Sequence, residues 1–329
     1  MEQPLLIIAN PDLSPRWATK DYSLDLAWGV SENNYTLTGS FPELLQQGWW
    51  WYFDNSPYAG RIDSIRPNVV NGDSTITYAG RTVSGLFEDK VLSPDAGKDY
   101  VTVEATQYEI SKELIRRANL TEIIQPLDTG NGSIIQYQFD RYGQMWDRIL
   151  QLCTAKQLRP VVQCVNNRIY FGLNQQQTLT NTLDSNIFDF KIESNLPYNH
   201  IVGAGQGDLD KRIITHLYTD KQGNISKIPT FTGVEERTYY YDYTAADQQT
   251  LEDEATKKLQ EFQQSQTTIT VTMHDGTPAN MWDRLTAADQ ITGMTVSATI
   301  TKQILKASNG TAIISVEAGN TSVQNKGEQ

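Results

Sequence analysis

The sequence predicts an α+β protein, mainly β, in which two related antiparallel β domains flank a mixed one, and three observations carry that prediction. Short apolar stretches alternate with turn residues from Trp17 to about Val91 and again from Asn195 onward, the period-two pattern of half-buried strands. Three other segments space their apolar residues at intervals of three and four, as amphipathic helices do. Finally, "GRIDSIRPNVVNGDSTITYAG" (Gly60 to Gly80) is echoed by "ATITKQILKASNGTAIISVEAG" (Ala298 to Gly319). In each copy an Ile is followed nine residues later by Asn-Gly and then by a strand closing on Ala-Gly, the second copy being one residue longer after the turn.

The first β domain, residues 1–95, contains "DYSLDLAWGV", "YTLTGSF" and "STITYAGRTV", with Asn71-Gly72 as a hairpin turn. It also contains "GWWWYFDNSPYAG", Gly48 to Gly60. Side chains alternate across a strand, so Trp49, Trp51 and Phe53 fall on one face and Trp50 and Tyr52 on the other. One face fills a β interior, and the other needs cover from a neighbouring domain or subunit, which makes Trp49, Trp50, Trp51 and Tyr52 candidate interface residues. A carbohydrate-binding or carbohydrate-cleaving platform on Trp49–Trp51 is the alternative use of such rings, and stacking on single-stranded nucleic acid a further one.

Near residue 100 the texture changes. "TQYEISKELIRRANL" opens with a capping pattern, Thr106 with Glu109, and aligns Ile110, Leu114, Ile115 and Ala118 on one helical face. "DRYGQMWDRILQLCTAKQL" repeats Tyr142, Met145, Trp146, Ile149 and Cys153 at helical spacing, as a core stripe does. "RPVVQCVNNRIYFGL" then reads as a hairpin turning at Asn166-Asn167. Together these make an α/β insert domain, residues 96–195, to which the later helix at 244–264 is added. That helix has Thr244 as its expected cap, Leu251, Ala255, Leu259 and Phe262 on its apolar face, and the pairs Asp253/Lys257 and Glu254/Lys258 opposite. The second β domain is 196–243 with 265–319, followed by a flexible tail, 320–329.

Net charge is −12, which opposes a surface built to grip nucleic acid. No apolar run approaches the ~20 residues of a bilayer crossing, and no basic region precedes "LLIIA", so membrane insertion and secretion are not expected. Sequons at Asn34 and Asn224 then carry no message. Cys153 and Cys164 read as buried thiols, and His200, His216 and His274 have no helical metal spacing. "GAGQGD", Gly203 to Asp208, precedes a strand-like stretch instead of a helix and reads as a turn or bulge, not a dinucleotide loop. Nothing nominates catalytic, cofactor-binding or metal-ligating residues, and no enzyme is expected.

The order of the parts, "YAGRIDSI", "VTVEATQYEISKELIRRANL", "IFDFKIESNLPYNHIVGAGQGD" and the closing "TAADQITGMTVSATITKQIL" with "AIISVEAG", resembles the tail hub proteins at the tip or baseplate of siphophages, prophages and related injection machines. The resemblance spans about Trp17 to Gly319. It implies two tube-like antiparallel β-barrel domains per subunit with the α/β domain inserted, and a homotrimer whose barrels form a pseudo-sixfold ring matching a hexameric tail tube. It also implies a virion-tail location after assembly in the bacterial cytoplasm, with a distal tail or tube protein, a tape-measure protein and tip, fibre or receptor-binding proteins as partners. DNA would pass without specific binding, which an acidic channel lining favours. The chain stops about ten residues after its last β element, so no cell-wall-degrading activity is expected of it.

Overall fold

A computed structural model of the chain describes residues 1–70, 73–181, 188–264, 267–273, 280–288 and 295–324. Two compact units divide the chain: Met1–Phe190, Thr270–Ala318 and Val323–Gln329 form the first, Lys191–Ile269 and Gly319–Ser322 the second. The molecule is mostly β, as the alternation predicts.

In chain order the elements are β1 (Leu6–Ala9), β2 (Pro15–Thr19), β3 (Tyr22–Gly29), β4 (Asn33–Gly39), β5 (Trp50–Tyr52), β6 (Ala59–Val70), β7 (Asp73–Thr82) and the short helix α1 (Val83–Glu88). Next come β8 (Thr102–Ala105), α2 (Gln107–Arg117), β9 (Ile124–Pro126), β10 (Ile135–Gln138), α3 (Met145–Lys156), β11 (Leu158–Val165), β12 (Arg168–Gln175), β13 (Thr178–Asn181) and β14 (Phe188–Ser194). Then follow β15 (His200–Ala204), β16 (Ile214–Thr219), β17 (Ile225–Ser226), β18 (Thr238–Asp242), α4 (Gln248–Gln264), β19 (Thr267–Met273), β20 (Arg284–Ala288), β21 (Thr295–Ser308) and β22 (Thr311–Gln324).

The large sheet of the first unit runs β22-β21-β3-β4-β7-β6-β5-β1-β2, with β20 beside β21 and β13. The sequence echo becomes visible here as two long hairpins, β6–β7 and β21–β22, which flank the central β3–β4 hairpin. β21 pairs with β3 from Lys302↔Gly29 to Ala307↔Leu24, and β7 pairs with β4 from Arg81↔Asn34 to Tyr78↔Leu37. The two copies thus extend one sheet, and among the described residues its path does not close into a barrel. Asn309 and Gly310 have φ of 51° and 81°, the doubly left-handed turn that Asn-Gly adopts at low cost. The matching Asn71-Gly72 lies outside the described residues.

Within the same unit, the Thr106 hydroxyl accepts a hydrogen bond from Glu109 N at 3.3 Å, so the predicted cap forms, and Ile110, Leu114, Ile115 and Ala118 are buried. α3 packs on β11, and its Trp146 indole donates to Gly29 O at 2.8 Å, tying this helix to β3. Tyr142 does not join that stripe. It is 55% exposed with φ 49°, because the chain turns at Tyr142-Gly143 and Arg148 donates to Tyr142 O at 2.6 Å. β11 and β12 form the expected hairpin, with Asn166 and Asn167 at φ 50° and 58°.

The second unit contains the sheet β17-β16-β15-β18, antiparallel except for the parallel β15–β18 pair. α4 covers one face, burying Leu251, Ala255 and Leu259, and packs on β15 and β16, so its apolar stripe closes over Ile201 and Leu217. Thr250 N donates to Asp247 Oδ1 at 2.9 Å, making Asp247 and not Thr244 the side chain that caps this helix. The ion pairs within the helix, among the described residues, are Lys257–Glu254 at 2.6 Å and Lys258–Glu261 at 2.7 Å, both at i,i+3 and different from the pairs expected.

Candidate functional site

β5 lies between β1 and β6, pairing Trp51 with Ile8 on one side and with Gly60 on the other. Trp49, Trp50, Trp51, Tyr52 and Phe53 are all exposed by 5% or less. Trp51 meets Tyr35 edge to face at 5.0 Å, and the pair fits because Gly60 has no side chain: a Cβ there would lie 2.5 Å from the Tyr35 ring and 2.6 Å from Trp51 Nε1. Trp49 meets Trp17 at 5.9 Å, with the Arg16 guanidinium 4.2 Å above its ring.

The Tyr52 end of the face that needs cover, and the turn after it, meet the β11–β12 hairpin of the same unit. Tyr52 OH donates to Asn167 Oδ1 at 2.6 Å, Asn166 N donates to Asp54 Oδ1 at 3.2 Å, and Cys164 N donates to Ser56 O at 2.7 Å. Burial pushes the Tyr52 hydroxyl up to about 12, with the charge of Asp54 adding to it. In this chain the candidate interface residues are therefore core, and their rings present no face on which a sugar could stack. Trp50 Nε1 is buried without a hydrogen-bond partner among the described residues, so its indole is held by packing and its backbone by the pairing of β5 with β1 and β6.

A second feature was not legible in the sequence. β6 bulges at Asp63, between Ile62 and Ser64, where Gly80 opposite lets the backbones close: a Cβ on Gly80 would come within 2.0 Å of Arg61 O. Asp63 Oδ2 accepts from Arg81 N at 3.0 Å and Arg81 Nε at 2.7 Å, and Oδ1 accepts from Arg81 Nη2 at 2.8 Å and Arg61 Nη1 at 3.3 Å. Arg81 Nη1 also reaches Asp89 at 2.6 Å. Partial burial pushes the Asp63 carboxyl up, but the bonds and charge of Arg81 outweigh it and hold the group below the usual carboxylate range. This network borders an open groove of about 570 Å³ lined by Asn34, Tyr35, Thr36, Ser64, Arg66 and Gly80 among others. Past Tyr78 and Ile65, β6 and β7 leave β4 and continue as a two-stranded ribbon that exposes Arg66, Asn68, Ser74 and Val69, the last by 67%.

Reactive chemistry finds little support in these surroundings. Cys153 and Cys164 are buried free thiols, and desolvation raises both, Cys164 to about 12, so neither supplies a thiolate. Among the described residues no group of three His, Cys, Asp or Glu side chains is placed to hold a metal ion, and His274 lies outside them. In "GAGQGD", a Cβ on Gly203 would lie 3.3 Å from Leu251, and one on Gly205 would lie 2.7 Å from Ala246 O. These glycines thus let α4 and the chain before it approach β15, and only a three-residue 3-10 turn, Leu209–Lys211, follows. His200 and His216, unrelated by sequence spacing, are brought together by the β15–β16 pairing, with ring nitrogens 3.0 Å apart.

No family model matches the sequence, and no curated protein matches it. Solved structures do. A 43 kDa tail protein of prophage MuSo2 from Shewanella oneidensis is 12% identical, with 96% of this chain and 98% of that one covered at a TM-score of 0.50. A tail protein from Neisseria meningitidis MC58 is 14% identical, with 96% of each chain covered at 0.49. A prophage tail protein, gp18, from Listeria monocytogenes EGD-e is 13% identical, with 98% of this chain and 95% of that one covered at 0.47. By the first of these, the chain has the fold of a prophage tail protein.

Proposed function

We propose that this chain is a structural protein of a phage-type virion tail, a hub that joins the tail tube to the tip or baseplate. The observation that carries the proposal is the fold shared with the Shewanella prophage tail protein over nearly the full length of both chains. The paired hairpins give the hub form its support. Repetition within one subunit, β6–β7 and β21–β22, lets three copies offer six similar β hairpins to a hexameric tube. The partners are other copies of the chain, the tube or distal tail protein, the tape-measure protein and the tip proteins. The work is assembly, through shape-complementary faces. With a net charge of −12, the subunit does not gain the counterion release that would make passing DNA adhere.

Light scattering coupled to gel filtration, with negative-stain imaging of the main peak, tests the proposal. The chain mass is 37.1 kDa, so a closed trimer runs at about 111 kDa and shows a ring with a central hole. A monomer that forms no ring, alone or with tail-tube protein added, would overturn it.

A further inference from the structure

The stretch "NLPYNHIVGAGQG" leads into β15 through a polar cluster for which the tail role has no use. Asn199 clamps the segment before β18: its Nδ2 donates to Glu235 O at 2.7 Å, and its Oδ1 accepts from Arg237 N at 2.8 Å. Beside it His200, 6% exposed, sets Nδ1 at 2.6 Å from Glu236 Oε1 and 2.8 Å from Thr238 Oγ1, and Nε2 at 3.0 Å from His216 Nδ1. The sheet register makes this arrangement. Antiparallel pairing places His200 opposite Tyr218 and Val202 opposite His216, while the parallel pair sets Thr238 next to His200. The His200 ring stacks on Tyr218 at 4.2 Å and lies nearly parallel to His216 at 5.2 Å.

The bonding partners dictate the tautomers. An ionised carboxylate only accepts, so the Nδ1 of His200 carries its proton. A neutral imidazole has one N–H, so the Nε2 of His200 is the lone pair and His216 must donate to it from Nδ1. That leaves the Nε2 of His216, on an exposed side chain, as the open basic nitrogen.

We propose that Glu236, His200 and His216 form a proton relay that fastens residues 228–238 to β15 and releases them on acidification. A proton on the outward Nε2 of His216 leaves every bond intact. One on the Nε2 of His200 faces the Nδ1–H of His216 at 3.0 Å, so two donors meet and the bond is lost. Protonating Glu236 instead removes the acceptor at the other end of the chain. The charged and titratable groups on the elements around the relay are Glu235, Glu236 and Arg237 ahead of β18, Tyr240 and Asp242 on β18 with Tyr239 and Tyr241 on its other face against α4, Arg212 ahead of β16, Tyr218 on β16, Asp220 after it, and Tyr198 before Asn199. Arg212 is engaged by Asp242 and Tyr240, and Arg237 lies over the Tyr198 ring, which leaves Glu236 as the charged group bonded to the imidazoles among the described residues. The fastened segment carries Val234 fully exposed and Ile228 at 69%, and its ties include Thr230 Oγ1 to Thr219 O at 2.5 Å and Ile228 N to Ser226 Oγ at 3.3 Å.

The full chain tests this with imidazole ¹⁵N NMR and amide hydrogen exchange from about pH 8 to about pH 5, the span over which histidine charge changes. Exchange is expressed as protection relative to β11–β12 amides, which removes intrinsic and global effects. Both rings should be Nδ1–H tautomers at the upper end, and protection over 232–238 should fall about tenfold at the lower end. His216→Gln, whose amide can donate to the neutral Nε2 of His200 or turn its oxygen to accept from the protonated one, should keep the protection and weaken its pH response, the part through Glu236 remaining. An Nε2–H tautomer at His200, protection unchanged with pH, or an undiminished response in H216Q would each overturn the relay.

Discussion

At the scale of single residues, the molecule is held by fits that a methyl group spoils. Gly60 is such a place, since Tyr35 and Trp51 fill the space above it and both are buried with no room to retreat. Gly60→Ala should cost about 2 kcal/mol, the usual penalty of overpacking a tight core, read as a lower denaturation midpoint at unchanged slope. Two carboxylates act in opposite senses on the pH dependence. Asp63 has its folded pKa held down, so its contribution is present above the unfolded value and is lost as pH falls through the folded one. Asp283 is fully buried, and although it accepts from Gln177 N and Asn280 and faces Arg159 at 3.3 Å, desolvation outweighs these and raises it. Its contribution is therefore present below the unfolded value and is lost as pH rises through the folded one. Acid titrations followed by circular dichroism should show a shallower loss of stability in Asp63→Asn and a steeper one in Asp283→Asn. The same change in both would refute the assigned signs.

At the scale of elements, the turns illustrate how local chemistry fixes hairpin register. Gly310 stands at φ 81° with nothing within 4 Å of where a Cβ would be, so its role is conformational, unlike the steric role of Gly60. Gly310→Ala should lose about 1 kcal/mol through left-handed strain, without any change in packing. Equilibrium unfolding measures the loss, and an effect as large as that of a core clash would mean that the turn contacts something more. The tip of this hairpin is also held from outside, because Gly310 N donates to the Gln3 side chain at 2.7 Å and Gln3 N donates to Gly310 O at 3.0 Å. The echo hairpin β6–β7 leaves β4 after Tyr78 and exposes Arg66, Pro67, Asn68 and Val69 on its described part, while its turn lies outside the described residues.

At the scale of the whole molecule, charge and symmetry set the terms of assembly. Each chain carries −12, so bringing three together opposes like charges that salt screens over about 10 Å at 0.1 M. In the proposed trimer the assembled fraction should rise as salt goes from about 0.02 M to about 0.15 M, followed by light scattering. A fall over that range would mean that ion pairs and not apolar faces hold the subunits.

The sequence by itself determined what short-range rules govern. The Thr106 cap, the apolar faces of the helices, the turns at Asn166-Asn167 and Asn309-Gly310, and the mostly β character all follow from periodicity and from which residues tolerate left-handed backbone. Tertiary structure alone decided which buried face meets which. Tyr52, on the second face of the tryptophan strand, bonds to a hairpin more than a hundred residues later, and α4 seats on β15 and β16. Asp63 gathers Arg81 across a bulge, and His200 finds His216 and Glu236 only through strand register. The physical reason is that an apolar or polar side chain specifies that it must be covered or paired, while the identity of its partner is set by register and packing between segments distant in sequence.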